Sequence, residues 1–278
     1  MLRRGPFQLL MLYRNRSLGQ NSCMNIRAIG ASGGVSAGYK TTCYLIGEDL
    51  LLDCGAAATG LDLEEQKNIT DILITHPHLD HIKDIAFLID NTFNPARKKL
   101  KLHSSSAILK DIQENFFNNK IWPDFSKIPS QKNVKGSELL VYEAFTGEKA
   151  LNNYQVKMVD VNHPGNAVGF LLSSDDTDVL FTGDSSVTDE IWQLGKSAKN
   201  LKAVFTEISF PNNMEQLAID SGHYTINLLL EDIKKLGIET PVYINHFKPQ
   251  FFQALVEEFH KLAPSNWILL HQNHEINL

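Results

Sequence analysis

Cysteine is scarce. The three residues Cys23, Cys43 and Cys54, in a chain of 278, are odd in number and never closely paired. That excludes a disulfide scaffold and a thiolate zinc site, and fits a reducing, cytoplasmic compartment. No apolar run reaches the roughly 18 residues that a membrane span requires, so no membrane partner is expected. A basic excess is missing too: 26 Lys and Arg against 32 Asp and Glu leave a net charge of −6. Long nucleic acid is therefore a poor fit as a partner, whereas a small anionic substrate stays open, because one metal ion reverses a local field. No period of 20–50 residues recurs, which excludes a solenoid. What is present is enough apolar residue (43%) for a sizeable core and too little charge (21%) for wholesale disorder. The length suits two structural halves in one compact unit.

Residues 1–24 differ from the rest. They hold Arg3, Arg4, Arg14 and Arg16, no acid, and a short apolar run from Phe7 to Tyr13. They read as an N-terminal extension, disordered or loosely docked, with the domain occupying 25–278. From Asn25 the pattern is β-like. Thr42–Ile46 and Leu50–Asp53 flank Gly47-Glu48-Asp49 and predict a hairpin; Asp71–Thr75 reads as a short buried strand. Ile82, Ile85, Ala86 and Ile89 recur at helical spacing. The stretch 115–135 is aromatic-rich without a period and reads equally as a packed loop or a cleft wall. Further strands are expected at Leu100–Leu102, Tyr154–Val161, Val168–Leu172, Val179–Thr182, Ala203–Ile208, Pro241–Asn245 and Trp267–Leu270. Ile226 to Ile233 predicts a helix ending at Gly237, and Phe251–Leu262 a closing one. Two β-rich halves, each with helices, suggest two sheets face to face with helices outside.

The chemistry concentrates in His76-Pro77-His78-Leu79-Asp80-His81, where a buried strand gives way to a helix. Imidazole nitrogen and carboxylate oxygen suit zinc and related divalent ions. Four such groups in six residues exceed what one open catalytic site needs, so two ions sharing the loop is the economical reading. Leaving so many buried titratable groups without a metal would be costly.

His-x-His-x-Asp-His after a short strand resembles the metallo-β-lactamase fold superfamily, whose fold is a four-layer αββα sandwich within the α/β class. Its further ligands follow later strands, and His163, Asp184 and His246 each stand just after an apolar run. Singly, His163 or His246 reads as well as an ordinary half-buried histidine. The resemblance implies that His76, His78 and His163 hold one ion, that Asp80, His81 and His246 hold the other, and that Asp184 bridges them. The ions would be Zn2+, with Mn2+ or Fe2+ as alternatives. Asp53 occupies the place of a carboxylate that orients a ligand imidazole, its alternative being a strand-end turn residue. Asp80 is also placed in the catalytic set.

Two features narrow the branch. Glu207, at a strand end, and His223, before a helix, are placed like the Glu and His of phosphodiesterase branches such as ribonuclease Z, where the carboxylate keeps the imidazole protonated for a leaving oxygen. Their alternative is a structural pair. The longer context resembles the class II cyclic-nucleotide phosphodiesterases and their bacterial relatives, through Gly30-Ala31-Ser32-Gly33-Gly34, Thr75–Ile82, Ile121–Phe125, Glu207–Asn212, Ser221–Thr225 and His246-Phe247-Lys248-Pro249. Lys83-Asp84 and Gly222-His223-Tyr224-Thr225 depart from the commoner pattern and are expected to alter the substrate pocket. The resemblance implies a dinuclear phosphodiesterase that opens a 3′,5′-cyclic nucleotide to the 5′-nucleotide. Two cations can generate a bridging hydroxide near neutral pH, and His223 would protonate the ribose 3′ oxygen. The partner is then a small phosphodiester, with a homodimer left open. Ribonuclease Z-like tRNA cleavage would need a basic exosite arm, which the sequence lacks. A glyoxalase II-like thioesterase, or another hydrolase of the fold such as a lactonase, would not need Glu207 with His223. A flavodiiron oxidoreductase would carry Glu in place of His78, and a catalytically dead binding protein would be expected to have lost ligands.

Overall fold

The computed structural model describes residues 24–94, 98–131, 134 and 136–278. Two mixed seven-stranded sheets form among these residues. The N-terminal half supplies β1 (Asn25–Gly30), β2 (Cys43–Ile46), β3 (Leu50–Leu52), β4 (Asp71–Leu73), β5 (Leu100–Ser104) and β6 (Leu140–Ala144). The C-terminal half supplies β7 (Glu148–Leu151), β8 (Tyr154–Asp160), β9 (Val168–Ser174), β10 (Thr177–Phe181), β11 (Leu201–Glu207), β12 (Val242–Asn245) and β13 (Trp267–Leu269). The last strand, β14 (His274–Asn277), returns to the first sheet, whose order is β14-β1-β2-β3-β4-β5-β6; the second runs β13-β12-β11-β10-β9-β8-β7. The expected extension lies outside the described residues except for Met24, which is buried and exchanges backbone hydrogen bonds with Leu278.

Side-chain parity separates two cores. In β9 to β12, Phe170, Leu172, Val179, Phe181, Phe205 and Tyr243 face the first sheet, while Leu171, Leu180, Val204, Val242 and Ile244 face helices. A strand alternates its side chains, so a sheet covered on both faces must be apolar along its middle, as these strands are. Tyr44 of β2 closes the inter-sheet layer, packing on Phe181 and Phe205 at ring distances of 5.7 and 5.4 Å. On the first sheet sit α1 (Ala57–Gly60), α2 (Leu63–Asn68), α3 (Leu79–Ile82), α4 (Asp84–Asn91) and α5 (Ser106–Asn115); the second carries α6 (Glu190–Lys196), α7 (Glu215–Asp220), α8 (Ile226–Asp232) and α9 (Phe252–Leu262). Asp62 caps α2 through a reciprocal box with Glu65. After α8 a 3-10 turn ends at Gly237, whose φ of +65° is the left-handed stop expected there.

The expected strands and helices form, with edges moved by a residue or two. The aromatic stretch is a packed loop: Phe117 and Phe125 enter the core, and Trp122 meets Phe87 of α4 at 5.3 Å. Not anticipated were β6, β7 and β14. Each is short and half exposed, so its sequence carries little alternation and it is held mainly by its neighbour's ladder.

The direction of the strands places the site. β3 and β4 are parallel, and so are β10, β11 and β12. β8 runs the same way as β10, since each is antiparallel to β9. Their carboxyl ends therefore open on common edges, where connecting loops can converge.

Candidate active site

Asp53 follows β3, His76 to His81 follow β4, and His163 follows β8. Asp184 follows β10, Glu207 ends β11, and His246 follows β12. His223 stands in the loop before α8. All ten side chains singled out in the sequence come together. The ligand atoms of His76, His78 and His163 lie within 4.8 Å of one another, as do those of Asp80, His81, Asp184 and His246. Within the first group His78 Nδ1 and His163 Nε2 are 3.2 Å apart. Asp184 Oδ2 stands between the groups, 3.8 Å from His76 Nε2, 3.3 Å from His81 Nε2 and 3.0 Å from His246 Nε2. Asp80 Oδ2 completes the second group, 3.4 Å from His246 Nε2.

Two observations bear on whether a metal fits. The Nε2 atoms of His76 and His81 are buried yet make no hydrogen bond, an arrangement that proteins avoid unless something else satisfies the nitrogen. The electrostatics also differ between the groups. Burial, with His81 adding to it, drives His76 well below the ordinary imidazole range, and burial brings His163 down to about 4 against the pull of Asp184. That trio is held neutral, with lone pairs free to bind. In the second group burial pushes His246 down, but Asp184 and Asp80 outweigh it and raise it to about 9; His81 is raised in the same way by Asp184 and Asp53. Burial alone would raise Asp184, yet His246 and His81 hold it well below the carboxylate range. These carboxylates stabilise positive charge between them, as a cation site must. The residues fit divalent metal.

The surrounding groups orient the imidazoles through their other nitrogens. Asp53 is fully buried and accepts from His81 Nδ1 at 2.7 Å, Thr75 Oγ1 at 2.8 Å and Thr75 N at 2.9 Å. Thr75 Oγ1 is 3.0 Å from His76 Nδ1. His163 Nδ1 donates to the Gly222 carbonyl at 2.7 Å. His246 Nδ1 meets Ser209 Oγ at 2.8 Å. His246 itself has a φ of +65°, and a Cβ on Gly33 would come within 2.4 Å of its carbonyl oxygen and 2.6 Å of its Nδ1. The glycine is therefore required by close approach. Gly55 is similar: a Cβ there would meet the Asp80 carbonyl at 1.8 Å.

Glu207 is completely buried and accepts from His223 Nδ1 at 2.7 Å and from Tyr224 N at 3.3 Å. The His223 ring lies 4.8 Å from that of His163 and 5.3 Å from that of His246. The pair is thus seated against both ligand groups.

Sequence reasoning passed over Thr75, Gly222, Ser209 and Gly33 as site builders. A signal existed for two of them, since Thr75 adjoins His76 and Ser209 lies two residues beyond Glu207 on extended chain. Of the two departures expected to alter the substrate pocket, Gly222 and His223 stand in the site itself, whereas Asp84 and Tyr224 are buried beside it. Asp84 is buried under α1, accepting from Ala58 N at 2.9 Å. Tyr224 is buried too, and its hydroxyl donates to Asp232 Oδ2 at 2.5 Å, where Trp192 Nε1 also donates at 2.7 Å. Asp84 thus holds the start of α1, and Tyr224 ties its loop to α8.

Comparison with known structures places the fold. The metallo-β-lactamase fold protein YhfI from Bacillus subtilis superposes with a TM-score of 0.73 at 17% identity, covering 92% of this chain and 100% of its own. Unliganded yeast PDE1 gives 0.75 at 17% identity, covering 92% and 99%. The four-layer αββα sandwich is that of the metallo-β-lactamase fold. In sequence, the probable 3′,5′-cyclic-nucleotide phosphodiesterase of Yersinia pestis is 25% identical across 84% of this chain and 80% of its own length. The sequence model of the class-II cAMP phosphodiesterases matches residues 62–250, a span that holds nine of the ten side chains, all but Asp53. The chain belongs to the class-II cAMP phosphodiesterase family.

Proposed function

We propose that this chain hydrolyses 3′,5′-cyclic nucleotides to 5′-nucleotides at the site formed by its strand ends. His76, His78 and His163 would hold one divalent ion and Asp80, His81 and His246 a second, with Asp184 shared. Zn2+ suits the all-nitrogen-and-oxygen donor set, with Mn2+ or Fe2+ as alternatives. When bound, the ions supply Lewis acidity toward a phosphoryl group and acidify a water near neutral pH. The free, buried thiols of Cys43 and Cys54 accord with a reducing, cytoplasmic compartment.

The observation that carries the reading is the Glu207–His223 pair beside both ligand groups. With Nδ1 bonded to Glu207, Nε2 is the nitrogen His223 offers to a substrate. Glu207 fixes that ring by its Nδ1, and His223 gives a proton from Nε2 to the ribose 3′ oxygen as water adds to phosphorus and the 3′ P–O bond breaks. Such help matters for an alkoxide and little for p-nitrophenolate, which leaves unaided. His223→Ala should therefore lower turnover of 3′,5′-cAMP or 3′,5′-cGMP by about 10²–10⁴-fold. Its effect on bis(p-nitrophenyl) phosphate should be much smaller, with metal content unchanged. Equal losses on both substrates would remove the proton-donor role. A wild-type enzyme that cleaves 2′,3′-cyclic nucleotides or a pre-tRNA in preference would overturn the substrate.

A further inference from the structure

Ser209 leaves β11 two residues after Glu207, and extended chain returns alternate side chains to the same side. It is fully buried. Its backbone N–H donates to the Tyr224 carbonyl at 3.0 Å, next to His223. Its hydroxyl has four neighbours: Glu207 Oε2 at 2.8 Å, His246 Nδ1 at 2.8 Å, His223 Nδ1 at 3.2 Å and, more distant, the His246 carbonyl at 3.5 Å.

Counting protons resolves the arrangement. A serine hydroxyl has one proton and can accept through its lone pairs. His223 Nδ1 already donates to Glu207 Oε1 at 2.7 Å, the shorter contact. An ionised Glu207 can only accept, so the Ser209 proton goes to Oε2. Its oxygen is then free to accept the Nδ1 proton of His246. That bond keeps a proton on His246 Nδ1, so Nε2, which faces Asp80 and Asp184, is the nitrogen left for a metal. Gly33 closes the neighbouring space, since even a methyl carbon there would lie 2.6 Å from Nδ1. A rival acceptor has no room on that side.

Building on the function proposed above, we propose that Ser209 is a positioning residue that ties the metal-facing imidazole of His246 to the Glu207–His223 pair. One hydroxyl thus sets both the second ligand group and the proton donor, so neither can drift without the other. Ser209 touches no reacting atom; it acts through its two neighbours.

The test uses the full-length chain with Ser209→Ala and two readouts. Stripped protein is titrated with Zn2+ or Mn2+. Rates on 3′,5′-cAMP and bis(p-nitrophenyl) phosphate are then measured at saturating metal. Loss of an outer hydrogen-bond partner of a ligand histidine typically weakens metal binding about 10–100-fold, and that is expected for one of the two ions, the other being retained. At saturating metal the ratio of the cAMP rate to the bis(p-nitrophenyl) phosphate rate should fall by about tenfold or more. In a His223→Ala background Ser209→Ala should still weaken the metal but change the ratio no further. Ser209→Thr, which keeps the hydroxyl, should restore both. Should Ser209→Ala not fold, Ser209→Cys, with a weaker hydrogen-bonding group of similar shape, must show the same direction. Wild-type affinity together with an unchanged ratio would overturn the tie and leave the proposed function standing. A wild type that binds two ions but spares cAMP would overturn the substrate and leave the affinity readout to support the tie.

Discussion

Asp53→Asn replaces one carboxylate oxygen by an NH2 group while preserving shape. The backbone tolerates it, because Asp53 has a φ of +56° and Asn is among the few residues at ease in that region. The hydrogen bonds do not. Asp53 faces three donors: Thr75 N on Oδ1, and Thr75 Oγ1 and His81 Nδ1 on Oδ2. Whichever way the amide is turned, its NH2 meets at least one N–H or O–H. If the oxygen stays with Thr75 N, the NH2 faces His81 Nδ1–H, and the histidine must shift its proton to Nε2 to accept. That nitrogen is the one aimed at Asp184, 3.3 Å away, and a protonated Nε2 cannot ligate. A mismatched buried pair costs about 1–3 kcal/mol. The usual effect of losing such a carboxylate, about 10–100-fold in metal affinity, is about 1.4–2.7 kcal/mol. The two routes agree. Calorimetric titration of the stripped variant should show one ion weakened about 10–100-fold and the other within about threefold. Activity should recover as metal is raised. Wild-type affinity for both ions would refute the reasoning, and equal weakening of both would show that Asp53 holds the loop and not the His81 tautomer.

Asp184→Ala removes the one carboxylate in reach of His76, His81 and His246 and should lose both ions and activity; two ions per chain by elemental analysis would defeat the shared-ligand assignment. Gly33→Ala drives a Cβ into the rigid carbonyl of His246 and should displace that ligand, weakening one ion without touching any charged group; an unchanged titration would show that the segment has room to yield. Away from the site, burial raises the Asp71 carboxyl, but hydrogen bonds with His103 at 2.8 Å and Thr70 at 2.6 Å outweigh it and lower it from 3.8 to about 2. A depressed carboxyl stabilises the fold above its unfolded value and loses that contribution as pH falls through the folded one. The stability gap between wild type and Asp71→Asn should therefore narrow by at most about 2 kcal/mol between pH 5 and pH 2, less where solvent screens the pair. A gap constant with pH in acid unfolding would contradict it.

The six-residue run from His76 to His81 was enough by itself to mark a candidate metal site, because no ordinary core accommodates three imidazoles and a carboxylate in one turn of chain. Apolar runs ahead of His163, Asp184 and His246 likewise marked each as a strand-end residue, and strand ends are where α/β sheets gather ligands. Continuous apolar runs in β9 to β12 announced a sheet covered on both faces. Local pattern could not reach the partners of those ligands. That Ser209, beside Glu207, also meets His246, 37 residues further along, depends on β11 and β12 lying side by side. That Gly33 must lack a side chain depends on His246 being folded against it from the far half of the chain. That Tyr224 braces a buried carboxylate rather than a substrate follows from how α8 packs beneath its loop. Ligand identity resides in side-chain chemistry and is written locally. Ligand orientation is a matter of ångström-scale contacts between segments distant in sequence, and these exist only once the two sheets have closed on each other.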